Sequence, residues 1–440
     1  MRILLRVFAG LLIIGIIATH WALRPEFSTI EASNRLPTKV SVKPLPLQIY
    51  CPGAFVELGG QSGVDLGAME RIGEALVSSS YDADAVLQSP PLSSVEGFGL
   101  VADSEEQSTN LVSIIQSQVV ERERARGLAA TYCSKPSSSG WLINGSSVVG
   151  SESVLLIANP NQVEAAVSVD FYLNGSTVSE QIALAPFEQK ILPTAAFANA
   201  EPEFAVFFQS SGPKVSVSLQ NRQTNGLQPT GVEIESFVKA PATKHIFAGF
   251  QPLTQGFENP TMRIFNPGSN VAEAVITAFG SENIELFRQT IPANSFETVE
   301  LVVGEGYQLV SLEATSEVLA AIENRTIDPI LDFAWIQSAE IFTSVSLPLS
   351  PYRNSLVIAN PEASAVEVEI ELDFGNRFSV DTAVIAPFSQ LVLPVSADGV
   401  KVTGDGPFAI ALEILDPLGY AVLTPTESRN LGTDLQIIVR

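Results

Sequence analysis

The feature that most constrains this chain is an internal repeat. Ile-Ala-Asn-Pro occurs at 157–160 and again at 358–361. Pro-Phe follows at 186–187 and 387–388, and Leu-Pro at 192–193 and 393–394, so the spacings match over more than 30 residues. A weaker copy, Met262 to Gly280, carries Asn266-Pro267, with Ile291-Pro292 falling where the other copies have Pro-Phe. The three asparagines, Asn159, Asn266 and Asn360, stand 107 and 94 residues apart. A period of roughly 100 residues suits a β-sandwich of about seven strands.

The local pattern agrees with strands. Val366, Val368, Ile370 and Leu372 alternate with Glu367, Glu369, Glu371 and Asp373, which is the signature of a strand with one buried face. The acidic face reads as solvated, and as a device against sheet-to-sheet aggregation. Asn-Pro ends a strand because proline fixes φ and cannot donate to a ladder. Asparagine's short side chain can bond the backbone of the turn. The expected fold is therefore all-β: tandem immunoglobulin-like β-sandwich repeats over 141–235, 236–340 (divergent) and 341–440. Asn159, Pro160, Asn266, Pro267, Asn360 and Pro361 are read as architectural corners. Residues 39–140 lack the repeat and read as an N-terminal β-rich cap; within it, 110–128 fits helix or strand equally.

The chain opens with an apolar run, Val7 to Leu23, preceded by Arg2 and Arg6. Seventeen residues rise ~26 Å as a helix, near the lower limit for spanning a bilayer, and Leu4 and Leu5 extend the run. The arginines place the N-terminus inside. Small residues for signal cleavage are poorly placed at the exit, ATHWALRP. We expect a cytoplasmic stub (1–6), a transmembrane signal-anchor helix (7–23), a short linker (24–38), and an exported remainder on a single-pass protein of the cell membrane. Cys51 and Cys133 are then both exported. Two thiols in an oxidising compartment pair as a rule, and the alternative is two unrelated buried thiols.

Of the 440 residues, 46% are hydrophobic and 16% charged, so packed cores are expected and disorder is not. A net charge of −24 disfavours nucleic acid as a partner. The expected partners are the membrane, through the N-terminal helix, and an envelope protein or glycan. Catalytic signatures are scarce. His245 is the one histidine outside the anchor, and there is no Gly-x-Ser-x-Gly, HExxH, P-loop or dinucleotide fingerprint. No catalytic residue, cofactor or metal site is assigned. Asp398-Gly399 and Asp405-Gly406 read as plain turns. With 48 acidic residues, a glycosidase-type carboxylate pair stays open.

Three further stretches carry a resemblance: YCPG at 50–53, RGLAATYCSKP at 126–136 and GWLINGSSVVGSESVLLIANP at 140–160. Their order resembles an actinobacterial family of membrane-anchored secreted proteins classed as a domain of unknown function. The resemblance implies an envelope location and supports a Cys51–Cys133 pair, and it brings no catalytic residue. The reading is a non-catalytic, membrane-anchored structural or binding protein of the envelope. The alternatives are an accessory factor for envelope polysaccharide assembly or export, and a carboxylate-based glycoside hydrolase.

Overall fold

The computed structural model describes residues 38–41, 47–59, 69–79, 98–102, 113–251, 256–280, 282–304, 306–327, 329–375, 377–426 and 434–437. The expected stub and anchor helix, and the linker up to residue 37, lie outside the described residues; Thr38, its last residue, opens the first strand. Among the described residues the fold is all-β, and no helix is long and apolar enough to cross a membrane.

Eight strands precede the repeats: β1 (Thr38–Ser41), β2 (Leu47–Cys51), β3 (Val56–Leu58), β4 (Met69–Arg71), β5 (Leu76–Ser79), β6 (Phe98–Ala102), β7 (Ile114–Glu121) and β8 (Arg126–Tyr132). The ambiguous 110–128 stretch thus contains a strand, β7. β2 pairs with β6, β3 with β4, and β5, β7 and β8 form one sheet.

Next come β9 (Ser139–Gly145), β10 (Ser151–Ala158), β11 (Ala165–Leu173), β12 (Ser176–Leu184), β13 (Gln189–Pro193), β14 (Phe204–Ser210), β15 (Ser216–Asn225) and β16 (Gln228–Ser236). They make two antiparallel sheets, β12-β11-β14-β9 and β13-β10-β15-β16. Leu155, Ile157, Val167, Phe171, Phe204, Phe208 and Val217 fill the space between them. β11 alternates buried and less buried residues along its length, the period-2 pattern of a strand covering a core.

β17 (Ala242–Phe247), β18 (Thr261–Asn266), β19 (Ala272–Phe279), β20 (Ile284–Ile291), β21 (Ser295–Glu300), β22 (Leu309–Arg325) and β23 (Phe333–Gln337) follow. Here one long strand serves both sheets: β22 pairs with β19 and β17 through its first part and with β18 and β23 through its second. The next set repeats this order: β24 (Ile341–Pro348), β25 (Arg353–Asn360), β26 (Val366–Asp373), β27 (Phe378–Ile385), β28 (Ser389–Val395), β29 (Gly399–Asp416) and β30 (Gly419–Leu423). β29 again pairs first with β26 and β24, then with β25 and β30. β14 and β15 of the first set correspond to the two parts of β22 and of β29. A last strand, β31 (Asp434–Ile437), pairs with β1 in a separate unit.

The apolar clusters do not stop at the ends of the strand sets. Trp141, Ile143 and Ala205 pack with Phe265, Leu319, Phe333 and Trp335. Val357, Ala411, Tyr420 and Val422 of the third set join the core of the second. Leu128, Ala130 and Tyr132 join the core of the third set, and Phe55, Ile72 and Val120 pack on Val232 and Ile234 of the first. Four neighbouring parts thus bury surface on one another in cyclic order. β8, β16, β23 and β30 are their inner strands, and each touches the next.

Candidate functional site

The three asparagines of the repeat occupy one environment. Each is fully buried. Asn159 Nδ2 donates to the carbonyls of Val163 (2.8 Å), Leu184 (3.3 Å) and Ala185 (3.0 Å), and its Oδ1 accepts from the Asn161 backbone N–H (3.1 Å). Asn266 makes the same set to Asn270, Ile291, Pro292 and Gly268. Asn360 makes it to Ser364, Ile385, Ala386 and Glu362. The carbonyl partners lie four, 25 and 26 residues on in every copy. A residue with positive φ follows 28 residues after each asparagine: Phe187 (58°), Asn294 (50°) and Phe388 (51°). A bulky residue there costs ~1–2 kcal/mol relative to its ordinary region, and the buried amide ties down the segment that adopts it. Pro160, Pro267 and Pro361 follow the asparagines at the strand ends.

The middle copy also corrects the alignment drawn from sequence. Pro292 takes the place of Ala185 and Ala386, so the partner of the Pro-Phe pair is Ala293-Asn294, one residue later. Asparagine replaces phenylalanine at the left-handed position, where it is better tolerated. Cys51 and Cys133 form a disulfide, with Cα atoms 4.4 Å apart, tying β2 to the end of β8. Asp405 accepts the Glu367 backbone N–H through its side chain, and Asp398 bonds Leu349 and Asp373 through its backbone. Among the described residues no cluster of three or more His, Cys, Asp or Glu is arranged to hold a metal.

The polar centre lies elsewhere, on the inner strands. Asp332, just before β23, is fully buried. Its Oδ1 accepts the N–H groups of Val232 and Phe333 (both 3.0 Å), and its Oδ2 those of Leu128 (2.7 Å) and Tyr420 (2.9 Å). One carboxylate therefore joins β8, β16, β23 and β30. The residue before each donor is Gly127, Gly231, Asp332 itself and Gly419. Glycine is required by closeness: a Cβ at Gly127 would sit 2.5 Å from Asp332 Oδ1, and one at Gly231 2.3 Å from the Phe333 ring. Burial pushes Asp332 up to about 8 against the pull of the four backbone donors. This second repeat, Gly-Leu-Ala, Gly-Val-Glu, Asp-Phe-Ala and Gly-Tyr-Ala, is visible in the sequence at 127, 231, 332 and 419. The Asn-Pro motif does not reveal it.

Beside this centre lies a pocket of about 380 Å3, whose wall includes Tyr132, Glu233, Glu235, His245, Trp335 and Gln337. Glu233 and Glu235 alternate along β16 and so share a face, opposite Asn221 and Leu219 of β15. Glu235 accepts from Asn144 (2.6 Å), Asn221 (3.3 Å) and Gln337 (3.4 Å). Burial pushes it up to about 7, against those bonds and the Arg263 charge. Glu233 is raised well above the usual carboxylate range by burial and then by Asp332, Glu235 and Glu323. Arg263 is turned to other partners: its Nη1 donates to the Ile143 (3.2 Å) and Gly145 (3.1 Å) carbonyls, its Nε lies 3.5 Å from Glu203, and its guanidinium lies over Trp335. His245 Nε2 bonds the Ala242 (3.2 Å) and Val318 (3.1 Å) carbonyls, and burial lowers its pKa. Both carboxyls are buried and both are raised above the usual carboxylate range. Sequence reading missed both, because acids are abundant in this chain and only the fold selects these two.

A model of a family of unknown function, DUF5719, matches residues 82–377, more than half of the chain. No curated protein matches the sequence. Among solved structures, the crystal structure of Thermotoga maritima 1070 is 15% identical at a TM-score of 0.22, over 24% of this chain and 95% of that one. A Streptomyces avermitilis alpha-L-rhamnosidase complexed with L-rhamnose is 8% identical (TM-score 0.13; 86% of this chain, 55% of that one). A tetra-tandem repeat from the extending region of a large adhesion protein is 9% identical (TM-score 0.12; 88% and 92%). TM-scores this low establish no shared fold.

Proposed function

This chain belongs to the DUF5719 family, whose function is unknown, and we propose that it is a non-catalytic, membrane-anchored protein of the cell envelope. It presents immunoglobulin-like β-sandwich modules to an envelope protein or glycan. The observation that carries the reading is the Cys51–Cys133 disulfide downstream of the apolar Val7–Leu23 run. A disulfide that uses both cysteines of a chain fits an oxidising compartment, and the run with its two leading arginines fits an anchor that leaves the rest outside. The resemblance to actinobacterial secreted proteins points the same way. The module reading is supported by three strand sets of one order, each turning on a buried asparagine with the same partners. A structural role is supported by where the buried polar groups go: the asparagine amides and Asp332 are bonded to backbone.

A carboxylate-based glycoside hydrolase is the second reading, favoured by Glu233 and Glu235 on one pocket wall. Their geometry weighs against it. Residues two apart on one strand point the same way, whereas such hydrolysis needs carboxyls flanking the scissile bond.

The test is membrane fractionation of the native host with external protease, followed by thiol mapping. The expected result is a membrane-bound chain cleaved from outside, with both cysteines oxidised. A mature N-terminus near Thr19 in the medium, or two free thiols, would overturn it.

A further inference from the structure

The three sandwiches have equivalent outer faces, and the third differs from the other two. In the first, Thr177, Ser179, Gln181 and Ala183 of β12 stand opposite Tyr172, Asp170, Ser168 and Ala166 of β11, and Ser179 donates to Asp170 (2.5 Å). In the second, Arg288 of β20 closes on Glu285 (2.6 Å) and Glu273 (3.1 Å). Both faces supply partners for their own charges.

The third face does not. On β27, Phe378, Val380 and Val384 are 63%, 56% and 69% exposed and share one side of the strand with Thr382. They stand opposite Asp373, Glu371 and Glu367 of β26, with Glu369 opposite Thr382. Val366, Val368 and Ile370, which alternate with these acids, are buried, so the acids point outward. Among the described residues none of the four carboxylates forms an ion pair. Lys401 of β29 stands opposite Glu371 without closing on it, and Arg377 lies over the Phe374 ring. β27 ends its sheet. An exposed apolar row there is a liability. The fold does not require it, because β12 has Thr177, Ser179 and Gln181 at these places and β20 has Arg288 and Thr290.

One type of side chain answers both rows. A strand added beside β27 lies two strand spacings, ~10 Å, from β26. A lysine or arginine on its outer side lays its methylene stem over Phe378, Val380 or Val384 and carries its charge toward the carboxylates beyond. Side chains on one side of a strand recur at every second residue. We propose that the edge of β27 takes up an extended segment of a partner protein with Lys or Arg at alternate positions. Main-chain bonds along the edge hold it, and its cations lie over Glu367, Glu369, Glu371 and Asp373. A second copy of this chain would bring the same carboxylate row and be repelled. The proposal rests on the module reading above and names the partner's chemistry. It needs no anchorage, so the fractionation test and the one below fail separately.

Fluorescence anisotropy on the full-length protein in detergent tests it. The probes are labelled octapeptides: alternating Lys-Thr, the same residues in two blocks, and alternating Glu-Thr. The alternating Lys-Thr peptide should bind at least tenfold more tightly than the block peptide, the Glu-Thr peptide should not bind, and amide exchange in β27 should slow on binding. Glu367→Gln with Glu371→Gln should weaken binding at least tenfold. Glu164→Gln with Glu180→Gln, the same charge change on exposed acids of the first sandwich, should leave it unchanged. Val380→Ser should weaken binding with no change of charge, and it carries the test if the first pair does not fold. Absence of binding, or equal binding of the two lysine peptides, overturns the proposal. So does unchanged exchange in β27, equal weakening by both glutamine pairs, or dimerisation through β27 that the peptide does not displace.

Discussion

The corner asparagines and the axial aspartate are both fully buried polar side chains bonded to backbone, yet they do opposite jobs. Asn159, Asn266 and Asn360 each reach carbonyls no more than 26 residues away, inside one strand set. Asp332 takes N–H groups from residues 204, 100, one and 88 positions away in four parts of the chain. The first arrangement is repeated because every sandwich must turn the same corner. The second occurs once because four strands meet at one place. Local order is thus secured three times over, while mutual order hangs on one carboxylate.

The largest effect should come from removing that carboxylate. Asp332→Ala leaves four buried N–H groups without an acceptor, a loss of about 5 kcal/mol on the scale of broken buried networks. The unfolding transition should shift as a whole in calorimetry, and a variant that loses only one sandwich would break the comparison. Asn159→Ala should cost about 3 kcal/mol, since three carbonyls and one N–H lose their partner. Hydrogen exchange should localise that loss to β10–β13, and a uniform loss across all sets would show the corners to be as global as Asp332.

A pH scan sharpens the axial side. Burial raises Asp332 to about 8, Glu235 to about 7 and Glu413 to about 6. A carboxyl whose folded pKa is raised binds protons more tightly in the folded state. Its contribution is therefore present at low pH and lost as pH rises from the ordinary carboxylate range through the folded value. Stability should fall by several kcal/mol between pH 5 and 8, with Asp332 contributing most. His245, with its lowered pKa, works weakly the other way. A melting temperature that rises over that range would mean that these acids are ionised in the fold. The smallest effect is expected for Pro160→Ala, about 1 kcal/mol through the freer unfolded chain, measured by urea denaturation. An equal loss in exchange protection at β25–β28 would contradict a local role.

Much of the sandwich was legible. Alternation in Val366–Asp373 reads directly as a half-buried strand, and the Asn-Pro spacing marks equivalent turns, because both depend on neighbours close in sequence. The middle copy was readable only to within one residue, since Pro292 mimics a motif it does not occupy. The pocket was not legible at all. Glu233 and Glu235 look like any other pair among 48 acids, and nothing local distinguishes a buried carboxyl from a solvated one.

The sequence by itself determined the class of fold, the period and the corners, because strand alternation and turn chemistry are short-range. Tertiary structure alone decided that Gly127, Gly231 and Gly419 must lack a Cβ, and that β8 joins β16, β23 and β30 around Asp332. It also decided which two glutamates share a pocket. Those outcomes depend on which strands approach within a few ångströms across 100 or more residues, and chain order does not encode that distance.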